Sequence, residues 1–462
     1  MRRRWPWLVG ALAAVPLLVH AALGPRYGGE LRIGAIGSSP SLEPGGAAGP
    51  TRRMLLALVH ETLVRSGADG PRPSLAASWT AGPDGRDLTL ALVPGLRFHD
   101  GADITSEAVA RSVRRFLRSD SPAAVVLAAA LEGGAAFRAG TAAALSGVDT
   151  PDATHVQLRF RAPASPWSLL PLASPAAAIT SERGAACGPF VPTITAGDDL
   201  LFAAFGDHVG GRPFLDRVRV RLVPDARRLA ADRRLGRVDL ALGPSGRPHA
   251  PGVVVLALNP TRPPFDSKER RLALAAAIDR EAIAERVLEG AEPWTRLLPI
   301  DGTSVIEPAR ESGARRDLPR VAAAAVVLVV DRTLPPLASQ RIVAHLADMG
   351  LTAQVRALDP DAVRQATAEV RLFVFEPEID EPVLAAHELA SLLEPADAPL
   401  AALEPDPAAR LAMALEIEER VRTQAALIPL ARLSRATDAA DEVRGAAADR
   451  YTLRVEDAWT LP

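Results

Sequence analysis

The chain has 462 residues, 48% of them hydrophobic, and a formal charge of -2. It is long enough to bury two or three cores, and its near balance of acids and bases leaves no basic field for nucleic acid. A single cysteine, Cys187, excludes an intrachain disulfide. At the N-terminus Arg2, Arg3 and Arg4 precede an apolar run from Trp5 to Leu23, the pattern of a membrane-targeting leader. Two fates stay open for it: cleavage at Val19-His20-Ala21, or retention as an anchor, since the run is about as long as a membrane span. Either way the chain is expected to be exported. No cysteine follows the leader to accept lipid, which argues against a lipoprotein.

Tyr27 to Gly34 reads as a first strand, followed by a polar loop through Ser38 and Ser39 to Pro44. Met54 to Val64 reads as a helix running into a strand, with His60 and Glu61 inside it. Neighbours on a helix point roughly 100° apart, so these two cannot grip one metal ion. From Pro71 to Leu117 the pattern is richer. A turn at Pro83-Asp84-Gly85, the alternating run Leu88 to Val93 and a turn at Pro94-Gly95 make a hairpin. A further turn, Phe98 to Gly101, leads to a helix carrying Val109, Val113, Phe116 and Leu117, with Thr105 or Ser106 as N-cap and Glu107 near its positive end.

Ala123 to Leu145 is helix-prone around Gly133-Gly134, and His155 to Phe160 alternates as a strand with His155 at the surface. Pro166 to Ala178 is apolar and proline-rich. Cys187 has no His and Asn set to activate it and reads as packing. Asp207-His208-Val209 reads as a solvated turn, because His208 has no second ligand at metal spacing. Val218 to Leu222 is a strand, a helix runs to Gly236, and Arg237 to Ala241 is a strand. The pattern restarts at Val253 with a buried strand, a proline-set turn and one helix from Glu269 to Ile283. Ala324 to Val330, a helix from Ser339 to Met349 ended by Gly350, and Leu351 to Arg356 form a right-handed strand, helix, strand unit. Val370 to Phe375 is a strand that discharges into four acids, Glu376, Glu378, Asp380 and Glu381. Ligands gather at the C-terminal ends of strands in α/β sheets; the alternative is a solvated acidic turn. Leu411 to Ala425 is a closing amphipathic helix.

Two stretches carry a resemblance. Leu75-Ala76-Ala77-Ser78-Trp79, Pro83-Asp84-Gly85, Pro94-Gly95, Phe98-His99-Asp100-Gly101 and Glu107 to Arg115 form the first; Leu256-Ala257-Leu258-Asn259, Pro263 to Asp266 and Ala277-Ile278-Asp279-Arg280-Glu281-Ala282-Ile283 form the second. In this order they resemble the family 5 extracellular solute-binding proteins, the dipeptide, oligopeptide and nickel class of ABC importers. The resemblance implies an α/β, two-lobed periplasmic binding protein fold (type II, cluster C-like) with an extra subdomain in the first lobe. The expected division is a leader or anchor over 1–23, lobe 1 over 27–44, 165–250 and 428–462, an inserted subdomain over 45–164, and lobe 2 over 251–427. The implied function is to bind a peptide-like or other small solute between the lobes and deliver it to an inner-membrane ABC permease, as a periplasmic monomer without catalysis.

The family's Trp-x-x-Asp-Tyr-x-x-Pro pattern falls on Phe375, Glu378, Ile379 and Pro382, and its strand-loop element on the Ser38-Ser39 loop, where Glu43 replaces an aspartate. The resemblance therefore names Ser38, Ser39, Phe375, Glu376 and Glu378 as ligand-binding, with the Phe375 to Glu378 turn facing the serine loop. No cofactor or metal is expected, since nickel or haem would need clustered histidines or aromatics. Aromatics make up only 4% of the chain, few for a cleft walled by flat faces. That leaves an alternative: a membrane-anchored homologue serving as sensor or assembly partner without transport. No GxSxG, HExxH or paired-cysteine pattern supports a hydrolase.

Overall fold

The structure is a computed structural model that describes residues 25–461, apart from 39–40, 47, 68, 194–198, 244–246, 289, 301–323, 394–403, 405 and 450–451. The leader therefore lies outside the described residues, as does Ser39. The chain opens with β1 (Glu30–Ile36), α1 (Pro50–Val59), β2 (Val64–Gly67) and β3 (Gly70–Pro73). There follow β4 (Ala76–Ala81), β5 (Asp87–Leu92), α2 (Ser106–Leu117), α3 (Pro122–Ala130), α4 (Gly134–Arg138), β6 (Val148–Asp152) and β7 (His155–Arg159). After two short 3-10 segments, Pro166–Ala173 and Pro175–Ala177, come β8 (Phe190–Pro192), β9 (Asp199–Ala204), β10 (Arg217–Val223), α5 (Ala226–Arg234), β11 (Leu240–Gly243) and β12 (Arg247–Leu258). The rest comprises α6 (Lys268–Ala277), α7 (Arg280–Arg286), β13 (Glu292–Pro293), β14 (Ala324–Asp331), α8 (Pro336–Asp348), β15 (Leu351–Leu358), α9 (Pro360–Gln365), β16 (Val370–Phe375), α10 (Pro382–Ala390), α11 (Pro407–Arg422), β17 (Leu427–Ala439) and short strand pairs beyond it.

The main sheet runs β15-β14-β16-β12-β17-β11-β1-β10-β9-β8. Its two long strands, β12 and β17, lie antiparallel at the middle; β12 also pairs with β16, and β17 with β11. These strands join a first lobe, where β1 runs parallel to β10 and β11, to a second, where β14 runs parallel to β15 and β16. Residues Val253 to Leu258 of β12 are buried on both faces, and the period of two sends them to different cores. Val254, Leu256 and Leu258 join the second lobe's cluster with Leu328, Ile342 and Leu346. Val253 and Val255 join a larger cluster that also contains Phe375, Val383, Leu127 and Leu169. The first lobe has its own cluster, in which Met54, Leu55 and Leu58 of α1 pack with Leu31, Ile33, Val218 and Val220.

A separate sheet, β4-β5-β7-β6, is covered by α2 and carries the hairpin read from Pro71 to Leu117. Thr105 is the N-cap of α2 and accepts from Ala108 N at 3.3 Å. Thr105→Ala is expected to cost about 1 kcal/mol in urea denaturation; an unmoved midpoint would show that this cap is idle. One expected helix is in fact two. The stretch from Glu269 to Ile283 breaks at Ile278, because Asp279 leaves helical geometry to accept from Ala282 N at 2.9 Å and cap α7. The strand expected from Arg237 begins instead at Leu240, and Asp239 turns its carboxylate onto Arg32 N at 2.9 Å and Nε at 3.0 Å.

Candidate functional site

A cavity of about 260 Å³ lies between the lobes. One wall is α1, where Arg53, Leu56, Ala57 and His60 share a helical face, together with Arg65, Ser66 and Arg72 of the β2-β3 hairpin. The opposite wall is the turn after β16, Glu378 to Asp380. A second cavity of about 340 Å³ opens beside it, between Gly37, Ser38, Gly49 and Thr51 on one side and Asp359 and Asp361 on the other.

The acids after β16 are not a solvated turn. Glu376, Glu378 and Glu381 are all buried, and each is held by a protein group. Glu376 pairs with Arg53 of α1 at 2.9 Å, with 3% and 0% of the two side chains exposed. Arg53 also donates to Ala48 O at 2.9 Å. Glu378 accepts from Ser174 Oγ at 2.7 Å and Ser121 Oγ at 3.3 Å, while its own N–H donates to Glu388 at 2.7 Å. Glu381 pairs with Arg410 at 3.2 Å, and the Arg410 guanidinium stacks on Trp167 at 3.6 Å from the ring centre. Most of these contacts run from one lobe to groups beyond it, and Ser38 to Asp359 and Gly49 N to Asp361 add two more ties.

Burial, and then the nearby Glu388 charge, push the Glu378 carboxyl up to about 7; the Ser174 bond, Arg53 and Arg364 offset this only in part. Deeper on the first-lobe side, Glu61 accepts from Arg65 and sits 3.2 Å from His208 Nε2. Burial would raise Glu61, but the Arg65 charge and the His208 hydrogen bond outweigh it and hold the carboxyl well below its ordinary range. His208 is thus buried in a polar network and is not the solvated turn residue expected from its neighbours; Glu61, distant in sequence, supplies the partner. Cys187 is buried, with burial raising its thiol out of the reactive range, and among the described residues no group of three metal-ligating side chains occurs.

Of the residues expected to bind ligand, Glu378 lines the first cavity and Ser38 the second. Phe375 is fully buried in the apolar cluster, and Glu376 is committed to Arg53. The serine loop does not face the Phe375 to Glu378 turn: Ser38 bonds Asp359, at the start of α9. Not foreseen were Arg53, His60, Ser66 and Arg72 on the cavity wall, and Ser174, which holds Glu378. The signal for the first two was present, since Arg53, Leu56, Ala57 and His60 recur at i, i+3, i+4 and i+7 with the polar pair on an otherwise buried face. Ser174 had none.

The family described as bacterial extracellular solute-binding proteins, family 5, middle, matches residues 70–304. Among curated proteins, heme-binding protein A of Haemophilus influenzae is 32% identical over 126 residues, a match that spans 24% of this chain and 23% of that relative. The fold is similar to that of the periplasmic binding protein DppA of Helicobacter pylori, solved in complex with the peptide STSA, at 18% identity, TM-score 0.79, and coverage of 95% of this chain and 99% of that one. The murein tripeptide binding protein MppA of Escherichia coli gives the same identity, TM-score and coverage. The PBP AgaA of A. tumefaciens, in complex with agropinic acid, aligns at 19% identity and TM-score 0.70 over 90% of this chain and 94% of that one. Among the described residues no helix is long and apolar enough to cross a membrane. With the specific hairpin and lobe-crossing stretches inside the matched region and the two-lobed sheet in place, the chain belongs to the bacterial extracellular solute-binding proteins of family 5.

Proposed function

We propose that this protein is the exported, periplasmic solute-binding component of an ABC importer, which closes its lobes on a small solute and presents the closed form to an inner-membrane permease. In this reading it is a monomer and performs no chemistry. Lobe 1 comprises 27–44, 165–250 and 428–462 together with α1, which packs in its core; lobe 2 comprises 251–427, and the remainder of 45–164 is inserted between parts of lobe 1. The observation that carries the reading is the 260 Å³ cavity walled from both sides, by α1 and the β2-β3 hairpin and by Glu378 to Asp380. Closure then follows from solute binding more tightly to the closed state than to the open one.

A second reading, a homologue that senses or assembles without transport, is favoured by one feature. The second lobe's acids are held by Arg53, Ser121 and Ser174, so closure draws on contacts that need no solute. Native mass spectrometry of protein recovered from its own periplasm separates the two. A co-purifying small molecule is expected for transport. A bare protein whose small-angle scattering ignores added solutes would leave only the second reading.

A further inference from the structure

The cavity wall contains polar groups of two kinds, those the protein already uses and those it leaves open. Glu61 and Glu378 belong to the first kind, one bound to Arg65 and the other to two serines. A ligand ammonium would find these carboxylates already occupied and the Arg53 charge beside it. The open groups differ in character. His60 Nδ1 and Ser66 Oγ are buried and have no hydrogen-bond partner among the described residues. Both residues line the cavity, and His60 is only 7% exposed. Orphaned buried polar atoms are rare enough that each calls for an explanation.

The hydrogen bonding of His60 fixes what its open atom can do. Nε2 lies 2.7 Å from Leu42 O. A carbonyl only accepts, so Nε2 carries the hydrogen, and the neutral ring presents a bare acceptor at Nδ1. The ring is neutral because burial lowers its pKa to about 4, more than the Leu42 bond restores. Nδ1 therefore needs a donor, and a hydroxyl meets that need without adding positive charge beside Arg53 and Arg65. Ser66 Oγ can donate or accept. At the exposed end of the wall Arg72 has no ion pair among the described residues, and its planar fork matches a carboxylate in a bidentate pair. One unpaired guanidinium suits one negative charge better than the two of a phosphate. The volume, roughly nine waters' share of liquid in a cavity of about 260 Å³, suits a short solute.

Resting on the solute-binding reading above, we propose that the cavity takes a small hydroxylated carboxylate, with a hydroxyl donating to His60 Nδ1, Ser66 Oγ alongside it, and the carboxylate on Arg72. This solute is distinct from a peptide held by its amino group. The test is calorimetric titration of the purified full chain with glycerate, threonate and gluconate, against erythritol, glycerol phosphate and alanyl-alanine. A hydroxycarboxylate is expected to bind at least tenfold more tightly than the others. Arg72→Gln, at an exposed position, should weaken it at least tenfold while leaving the polyol unchanged. His60→Phe and Ser66→Ala should each weaken it several-fold. Preference for alanyl-alanine or glycerol phosphate, or indifference to Arg72→Gln, would overturn the proposed solute class and leave solute binding standing. Absence of binding by every probe, in protein shown by native mass spectrometry to carry no solute, would overturn both.

Discussion

Arg53→Met is expected to destabilise the protein by about 3–5 kcal/mol, the usual cost of stripping one partner from a buried ion pair. The reason is geometric. Arg53 and Glu376 are both buried, 2.9 Å apart, and belong to elements on opposite sides of the cavity. Removing the guanidinium leaves the Glu376 carboxylate in the interior with its principal countercharge gone, and it also frees Ala48 O from its 2.9 Å donor. The double variant Arg53→Met/Glu376→Met should recover most of the loss, because a buried pair replaced by apolar side chains of similar size is often neutral or better. Urea denaturation of the wild type, both single variants and the double variant closes the cycle. Additive single effects would show that the two residues do not act as a pair.

The second large effect is a pH dependence centred on Glu378. The groups that face it are Glu388, Arg364, Arg53, Ser121 and Ser174. Its carboxyl stands at about 7 in the folded protein against 4.5 in a free side chain. Between those values the folded state holds a proton that the unfolded chain has released, so stability from this group falls as pH rises through the window. Below the unfolded value both states are protonated and the group costs nothing; above about 7 the full cost applies, a few kcal/mol at roughly 1.4 kcal/mol for each pH unit. Glu378→Gln keeps the shape and cannot ionise. It is expected to raise the melting temperature at pH 8, to leave it little changed at pH 4.5, and to flatten the slope between. A variant that melts below the wild type at pH 8 would show that the ionised carboxylate is used there. Glu61 works in the opposite sense, since its lowered carboxyl contributes stability above its unfolded range that is lost as pH falls.

The local units were legible because they depend on near neighbours in sequence. Thr105 caps the helix that its own spacing announces, Gly350 ends α8 at positive φ, and β16 takes its bounds from a β-branched and aromatic run, whereas β12 begins at Arg247, six residues before the Val253 run that marked it in sequence. A cap in the middle of a periodic run was the exception, because Asp279 competes for a backbone N–H only three residues away and periodicity carries no trace of that bond. Of the residues expected to bind ligand, Glu378 lines the first cavity and Ser38 the second, where it meets Asp359, while Phe375 went into the core and Glu376 onto Arg53, because their partners are distant in sequence.

By itself, then, the sequence determined the α/β elements, the hairpin and capped helix from Pro71 to Leu117, and membership of a solute-binding family. All of these rest on contacts within a few residues or on a characteristic order of motifs. The tertiary structure decided which charges are free. Arg53 and Glu376 are 323 positions apart, Ser174 and Glu378 are 204, and Glu61 and His208 are 147. A carboxylate's chemistry depends on the countercharge and donors folded against it. Four acids within six residues therefore read alike in sequence, while in the fold Glu376, Glu378 and Glu381 are bound by different protein groups, and on the wall of the first cavity, among the described residues, the open atoms belong to His60 and Ser66.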